Sequence, residues 1–157
     1  MAKRRKLYKR ILVGVDFSDG SRCALEQALA TARLHGAEVE AVYVAESFEP
    51  ALPFLKANLR AVDRLQRAER KRASHELATF VAEIDDAVET RVLFGVPHRA
   101  LLEHAAKTRA DLVVVSNRGN YFTERFGIGT TAEKVVRDSR IPVLLVPAPA
   151  QPSRKSR

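Results

Sequence analysis

Short apolar runs alternate with longer amphipathic stretches along this chain, and the alternation predicts its secondary structure. The apolar runs are rich in branched residues and are typical of strands buried on both faces. They cover residues 11–15, 39–44, 88–94, 112–115 and 142–147. Apolar residues at helical spacing fill the intervals, with helices expected after residue 18, over about 55–84, after residue 96, and over 130–138.

Local signals mark where several of these helices begin and end. Ser18 or Asp19 can cap the first helix, Gly36 can end it, and Pro97 suits the start of the third. The second helix is strongly charged, and we interpret its polar face as solvated. Its apolar stripe is predicted to consist of Leu59, Val62, Leu65, Ala73, Leu77, Phe80 and Ile84.

The order βαβαβαβαβ predicts one α/β domain, a single open five-stranded parallel sheet with helices on both faces. Ligands of such sheets bind outside the carboxyl ends of the strands, where the strand order reverses. Asp16 and Ser116 each follow a predicted strand directly. If the first and fourth strands are neighbours at that reversal, both residues face one crevice.

The segment from Leu112 to Val136 is the most informative about function. Its apolar strand leads into a polar loop containing Gly119, and Gly129 and Thr130 precede a helix. Glycines allow a ligand to approach the backbone, and the amides at a helix start favour an anion. We therefore predict a phosphate-binding site in which the amides of Gly129 to Thr131 face the phosphates.

Two motifs together carry a family resemblance: Val-Gly-Val-Asp-Phe-Ser at 13–18, and Ser-x2-Gly-x9-Gly-Thr at 116–130. The pair resembles the universal stress protein family, whose nucleotide-binding members carry Gly-x2-Gly-x9-Gly-(Ser/Thr) at this place. The segments 92–97, 131–136 and 141–146 are also similar, so the resemblance spans about residues 8–147. It implies a Rossmann-like three-layer fold of the adenine nucleotide alpha hydrolase type.

The resemblance also implies roles for individual residues. Val15 and Val44 would border the adenine and bond to it through the backbone. Asp16 would lie near the ribose and phosphates, where a carboxylate can also hold Mg²⁺. The phosphate-binding group would be Gly119, Gly129, Thr130 and Thr131.

One position departs from the family motif, because Ser116 stands where the first glycine is expected. Serine adopts positive φ less easily than glycine, and its side chain adds bulk near the ligand. Ser116 either weakens binding or donates a further hydrogen bond, and Arg118 can compensate by reaching a phosphate. The expected function is an ATP-binding, stress-responsive regulatory domain. The alternative is a dimeric interaction module of the same fold without nucleotide.

Simpler interpretations remain for the same residues. Gly119 and Gly129 can serve turn geometry alone, Asp16 can cap a helix, and Cys23 can be an ordinary helix residue. A relative of the electron-transfer flavoproteins shares this topology. The four histidines have neither the spacing nor the cysteine partners of a metal site.

The net charge of +8 comes from the termini. Residues 1–10 carry six cations and residues 151–157 carry three, neither with an acid, so 18 basic and 19 acidic residues remain between them. We divide the chain into a basic arm (1–9), the universal stress protein domain (10–148) and a basic tail (149–157). The arms are expected to be solvated, and any nucleic-acid binding through them to lack specificity.

The remaining expectations concern activity, assembly and location. The sequence has no Walker-type Gly-Lys-Ser/Thr and no nucleophile elbow, so we expect no enzyme activity beyond slow incidental ATP hydrolysis. The strand at 142–147 would be an apolar sheet edge that pairs two copies into a homodimer. A single cysteine and the lack of an apolar run of membrane-spanning length favour a cytoplasmic protein.

Overall fold

The computed structural model describes residues 6–46, 59–119 and 127–150. Within these ranges the chain alternates strands and helices, as the hydrophobic pattern predicts. The strands are β1 (Arg10–Val15), β2 (Glu38–Ala45), β3 (Glu89–Phe94), β4 (Leu112–Ser116) and β5 (Val143–Val146). The helices are α1 (Asp19–His35), α2 (Leu59–Ala82), α3 (Pro97–Thr108) and α4 (Thr130–Asp138).

The five strands form one parallel sheet in the order β3-β2-β1-β4-β5. The chain moves outward from β1 to β3 and then crosses back to β4, so the order reverses between β1 and β4. The predicted fold class is confirmed, and Asp16 and Ser116 leave neighbouring strands at this reversal. Within the described ranges β5 pairs only with β4, which makes it the edge strand that the sequence predicts.

Two apolar layers hold the helices against the sheet. On one face α1 and α2 cover Ile11, Val13 and Val15, and on the other α3 and α4 cover Leu12 and Val113. Alternate residues of β1 and β4 are therefore buried on opposite faces, as expected for a parallel sheet between helices.

The predicted helix boundaries are explained by local hydrogen bonds. Ser18 caps α1, because its hydroxyl accepts a hydrogen bond from the Ser21 amide at 3.1 Å. Gly36 ends α1 in the left-handed conformation at φ 65°. Pro97 occupies the first turn of α3.

The predicted apolar stripe of α2 is wrong at Leu59 and Leu65, which are 68% and 53% exposed, while Val62 is half-buried. The buried residues of α2 are Ala73, Leu77 and Val81, so among the described residues the packing of this helix on the core is concentrated in its second half. Residues 55–58 of the predicted helix lie outside the described residues.

None of the helices in the described part of the chain combines the length and the hydropathy needed to cross a bilayer.

Candidate functional site

The two sequence motifs meet where β1 and β4 end. A β-carbon built on Gly119 would overlap Oδ2 of Asp16, so this carboxylate lies directly against the backbone of the loop. Asp16 and Gly119 therefore belong to one site, and a side chain at 119 would have to displace the carboxylate of Asp16.

The carboxylate of Asp16 is oriented by the start of α1. Its Oδ1 accepts hydrogen bonds from the Ser18 amide at 3.1 Å and from the Ser18 hydroxyl. The intervening Phe17 has φ 65°, which is unusual for a residue with a side chain. Its ring packs against Tyr43 and Phe80 at centroid distances of 4.7 and 5.7 Å. This aromatic packing holds the strained turn that presents Asp16 at the strand end.

Ser116 is the last residue of β4, and its hydroxyl lies against Gly20 at the start of α1. Its hydroxyl donates to the Arg118 carbonyl at 2.8 Å and accepts from the Arg118 amide at 3.3 Å. Its φ is not positive, since Phe17 and Arg109 are the non-glycine residues with that property in the described ranges. The serine therefore fits this position without the backbone freedom of glycine, and its hydroxyl closes a turn within the loop.

The start of α4 faces the same loop. Gly129 precedes the helix, and no side chain of the described residues caps it. The Gly129 amide donates to the Asn117 carbonyl at 2.6 Å, which corrects the expectation that this amide faces a ligand. The first intrahelical bond runs from Glu133 to Gly129, so the amides of Thr130 and Thr131 have no acceptor within the helix. Both threonines are exposed.

Sequence reasoning missed two residues that shape the loop. Asn117 links the loop to β5 and the residues after it. Its backbone amide donates to the Val146 carbonyl at 2.9 Å, and its side-chain Oδ1 accepts from the Ala148 amide at 2.8 Å. Gly20, in the first turn of α1, contacts the loop from the other side. A glycine inside a helix was the signal available for Gly20, because glycine destabilises helices. Asn117 had no such signal.

The remaining predicted site residues lie at the same edge. The side chain of Val15 is buried in the apolar layer under α1 and α2, so only its backbone groups could contact a ligand. Val44 is half-buried, and its side chain packs against the apolar layer on the opposite face of the sheet. Arg118 is half-buried, and its backbone bonds to Ser116. A contact between the Arg118 guanidinium and a phosphate stays a prediction.

Two other polar features lie away from this edge. A groove of about 560 Å³ opens at the amino ends of the strands. Its lining mixes arginines with carboxylates, and none of the predicted ligand motifs falls within it. The buried Glu40 receives hydrogen bonds from Arg91 at 3.2 Å and pairs with His104 at 3.0 Å. We therefore place the candidate site at the carboxyl edge, where both motifs converge.

Metal ligands are sparse in the described ranges, which contain no group of three or more His, Cys, Asp or Glu side chains able to hold an ion. Asp16 is the one predicted ligand. A cation here would need its other ligands from bound phosphates and water.

Comparison with known proteins shows the family of the chain. The family model described as universal stress protein family matches residues 7–147. A universal stress protein of Methanocaldococcus jannaschii is 32% identical over 147 residues, covering 91% of this chain and 84% of that protein. The chain belongs to the universal stress protein family.

Solved structures show the same fold. A universal stress protein from Lactobacillus plantarum is 28% identical with a TM-score of 0.69, covering 88% of this chain and 97% of that one. A universal stress protein solved in complex with cAMP is 26% identical with a TM-score of 0.61, covering 91% and 99% of the two chains. The family predicted from the two motifs is therefore confirmed.

Proposed function

We propose that this protein binds an adenine nucleotide, with ATP as the physiological ligand, and acts as a regulatory domain in the cytoplasm. The contact between Asp16 and Gly119 beside the start of α4 supports the proposal most directly. A carboxylate that accepts ribose hydroxyls and a helix start that binds phosphates then lie at one strand reversal. The related structure in complex with cAMP supports the same ligand class.

In this proposal, Thr130 and Thr131 donate their amides and hydroxyls to phosphate oxygens. Gly119 and Gly129 keep the backbone close to the phosphates. Asp16 contacts the ribose and completes Mg²⁺ coordination with the phosphates. The backbone of Val15 and Val44 borders the adenine.

Binding without catalysis follows from the groups available. The sequence has no Gly-Lys-Ser/Thr motif to stabilise a transferring phosphoryl group. We propose that bound ATP changes the surface presented to partners and is hydrolysed at most slowly.

The open edge of β5 supports a homodimer. The carbonyl oxygens of Pro142 and Val146 accept hydrogen bonds from the amides of Val113 and Asn117. Successive residues of a strand point their N–H and C=O groups to opposite edges, so those of Val143 and Leu145 point away from β4. An apolar edge of this kind favours pairing with a second copy.

The proposal is tested by calorimetric titration of the purified protein with Mg-ATP, ADP, cAMP, adenosine and GTP. We expect binding of the adenine compounds and much weaker binding of GTP. Absence of heat and of a thermal shift with saturating Mg-ATP would refute nucleotide binding. That outcome would favour the alternative function, a dimeric interaction module without nucleotide, which Ser116 in place of the motif glycine supports.

A further inference from the structure

The backbone conformation of Gly20 does not require glycine, because its φ is not positive. Gly20 is buried in the first turn of the 17-residue helix α1, and the described glycines with positive φ are Gly36, Gly95 and Gly127. Glycine in a helix costs about 1 kcal/mol relative to alanine. The absence of a side chain at position 20 must therefore serve something outside the helix.

The space in front of Gly20 is filled by the loop after β4. A β-carbon built there would overlap the Ser116 hydroxyl oxygen, lie 2.6 Å from the Arg118 carbonyl oxygen and lie 3.1 Å from the Ala148 β-carbon. The Arg118 carbonyl is backbone and cannot rotate away. Gly20 is thus the point at which α1, the loop and the segment after β5 come together.

The same loop is held on its other sides by contacts already described. Asp16 lies against Gly119, and Asn117 bonds to Val146, Ala148 and Gly129. The Ser116 hydroxyl closes the turn to Arg118 while resting against Gly20. A displacement at Gly20 would therefore disturb residues 116–119 and, through the Asn117–Gly129 bond, their fit to the start of α4.

We propose that Gly20 is a positioning residue for the phosphate-binding loop, and that its contact with Ser116 lets serine replace the first glycine of the motif. This inference rests on the proposed function. Gly20 does not touch the ligand in this view. It sets the distance between Gly119 and the amides of Thr130 and Thr131, so it acts on phosphate binding much more than on adenosine binding.

The test compares Gly20→Ala with Asp19→Ala, a control in the same turn whose side chain is exposed. Calorimetry measures affinities for Mg-ATP and for adenosine, and thermal melting without ligand measures stability. For Gly20→Ala we expect ATP affinity to fall roughly tenfold or more, with adenosine affinity within about twofold of the wild type. Asp19→Ala should change neither.

The double variant Gly20→Ala/Ser116→Gly should recover part of the ATP affinity, because it removes the overlap with the hydroxyl and leaves the 2.6 Å contact with the Arg118 carbonyl. If Gly20→Ala alone does not fold, the double variant is compared with Ser116→Gly. The two differ only by the methyl group at position 20, which still meets the Arg118 carbonyl, and the ATP-selective loss is expected between them.

Three outcomes are distinguishable. Wild-type protein that binds neither ATP nor adenosine refutes the proposed function, and the inference with it. Wild-type binding with unchanged ATP affinity in the variant, even at a lower melting temperature, overturns the positioning role alone. Equal losses for ATP and adenosine also overturn it, because they indicate general damage to the site.

Discussion

The carboxylate of Asp16 lies against the backbone of Gly119, joining the end of β1 to the loop after β4 without an intervening side chain. The two residues are 103 positions apart in the sequence (119 − 16) and meet because β1 and β4 are neighbours in the sheet. This contact defines the geometry on which the nucleotide proposal depends.

Gly119→Ala is predicted to weaken nucleotide binding, because the new methyl group overlaps Asp16 Oδ2 and must displace it. We expect ATP affinity to fall roughly tenfold or more in calorimetric titration. Asp19→Ala is the control, because Asp19 is an exposed residue in the first turn of α1 and is not among the predicted ligand residues. Equal affinities of the two variants would contradict the role of the Asp16–Gly119 contact.

The helix α2 provides a matched pair for the core. Leu77 is fully buried and Leu65 is 53% exposed in the same helix. Leu77→Ala should lower the free energy of unfolding by about 2–5 kcal/mol, from lost burial and the cavity left behind. Leu65→Ala should change it by no more than about 0.5 kcal/mol. Urea unfolding measures both. A large cost at Leu65 would show that the first half of α2 is packed against something in solution.

His98 predicts a loss of stability at mildly acidic pH. Burial, then the positive charge of Lys134, lowers the pKa of His98, outweighing the opposite effect of Asp138. The folded state therefore binds fewer protons than the unfolded state around and below the ordinary histidine pKa of about 6.5. The stability that the folded protein has when His98 is neutral is fully present above that pH, and part of it is lost as the pH falls towards the folded-state pKa of His98.

We expect the free energy of unfolding to decrease between about pH 7.5 and pH 5.5, and His98→Gln to reduce that decrease. His75→Gln is the control, because His75 is an exposed histidine on α2. Urea unfolding across this range measures the effect. Identical pH profiles for wild type and His98→Gln would exclude His98 as its source.

The edge of β5 predicts an effect on assembly. Leu145→Pro removes an outward amide from that edge, while the opposite edge of β5 keeps its bonds to β4. If two copies pair through β5, light scattering should show twice the 17.5 kDa chain mass for the wild type and a single chain mass for the variant. Circular dichroism verifies that the variant is folded. A folded variant that remains a dimer would place the interface elsewhere.

The sequence by itself determined the order of elements, their approximate boundaries and the family. The apolar runs and the helical spacing of apolar residues reflect which side chains are buried in the core. Helix caps such as Ser18 and Gly36 act through hydrogen bonds to residues three or four positions away, so they too can be identified in the sequence. The same information placed Asp16 and Gly119 at strand ends. It could not show that they touch.

Only the tertiary structure decided which apolar residues of α2 are buried and how the loop after β4 is held. Leu65 and Leu77 have the same side chain, and among the described residues Leu77 packs into the core beside the sheet while Leu65 does not. Gly20, Ser116 and Asn117 shape the loop through contacts among α1, β4 and β5. Contacts between segments distant in sequence leave no periodic pattern in the chain, so they emerge only when the strands are placed side by side.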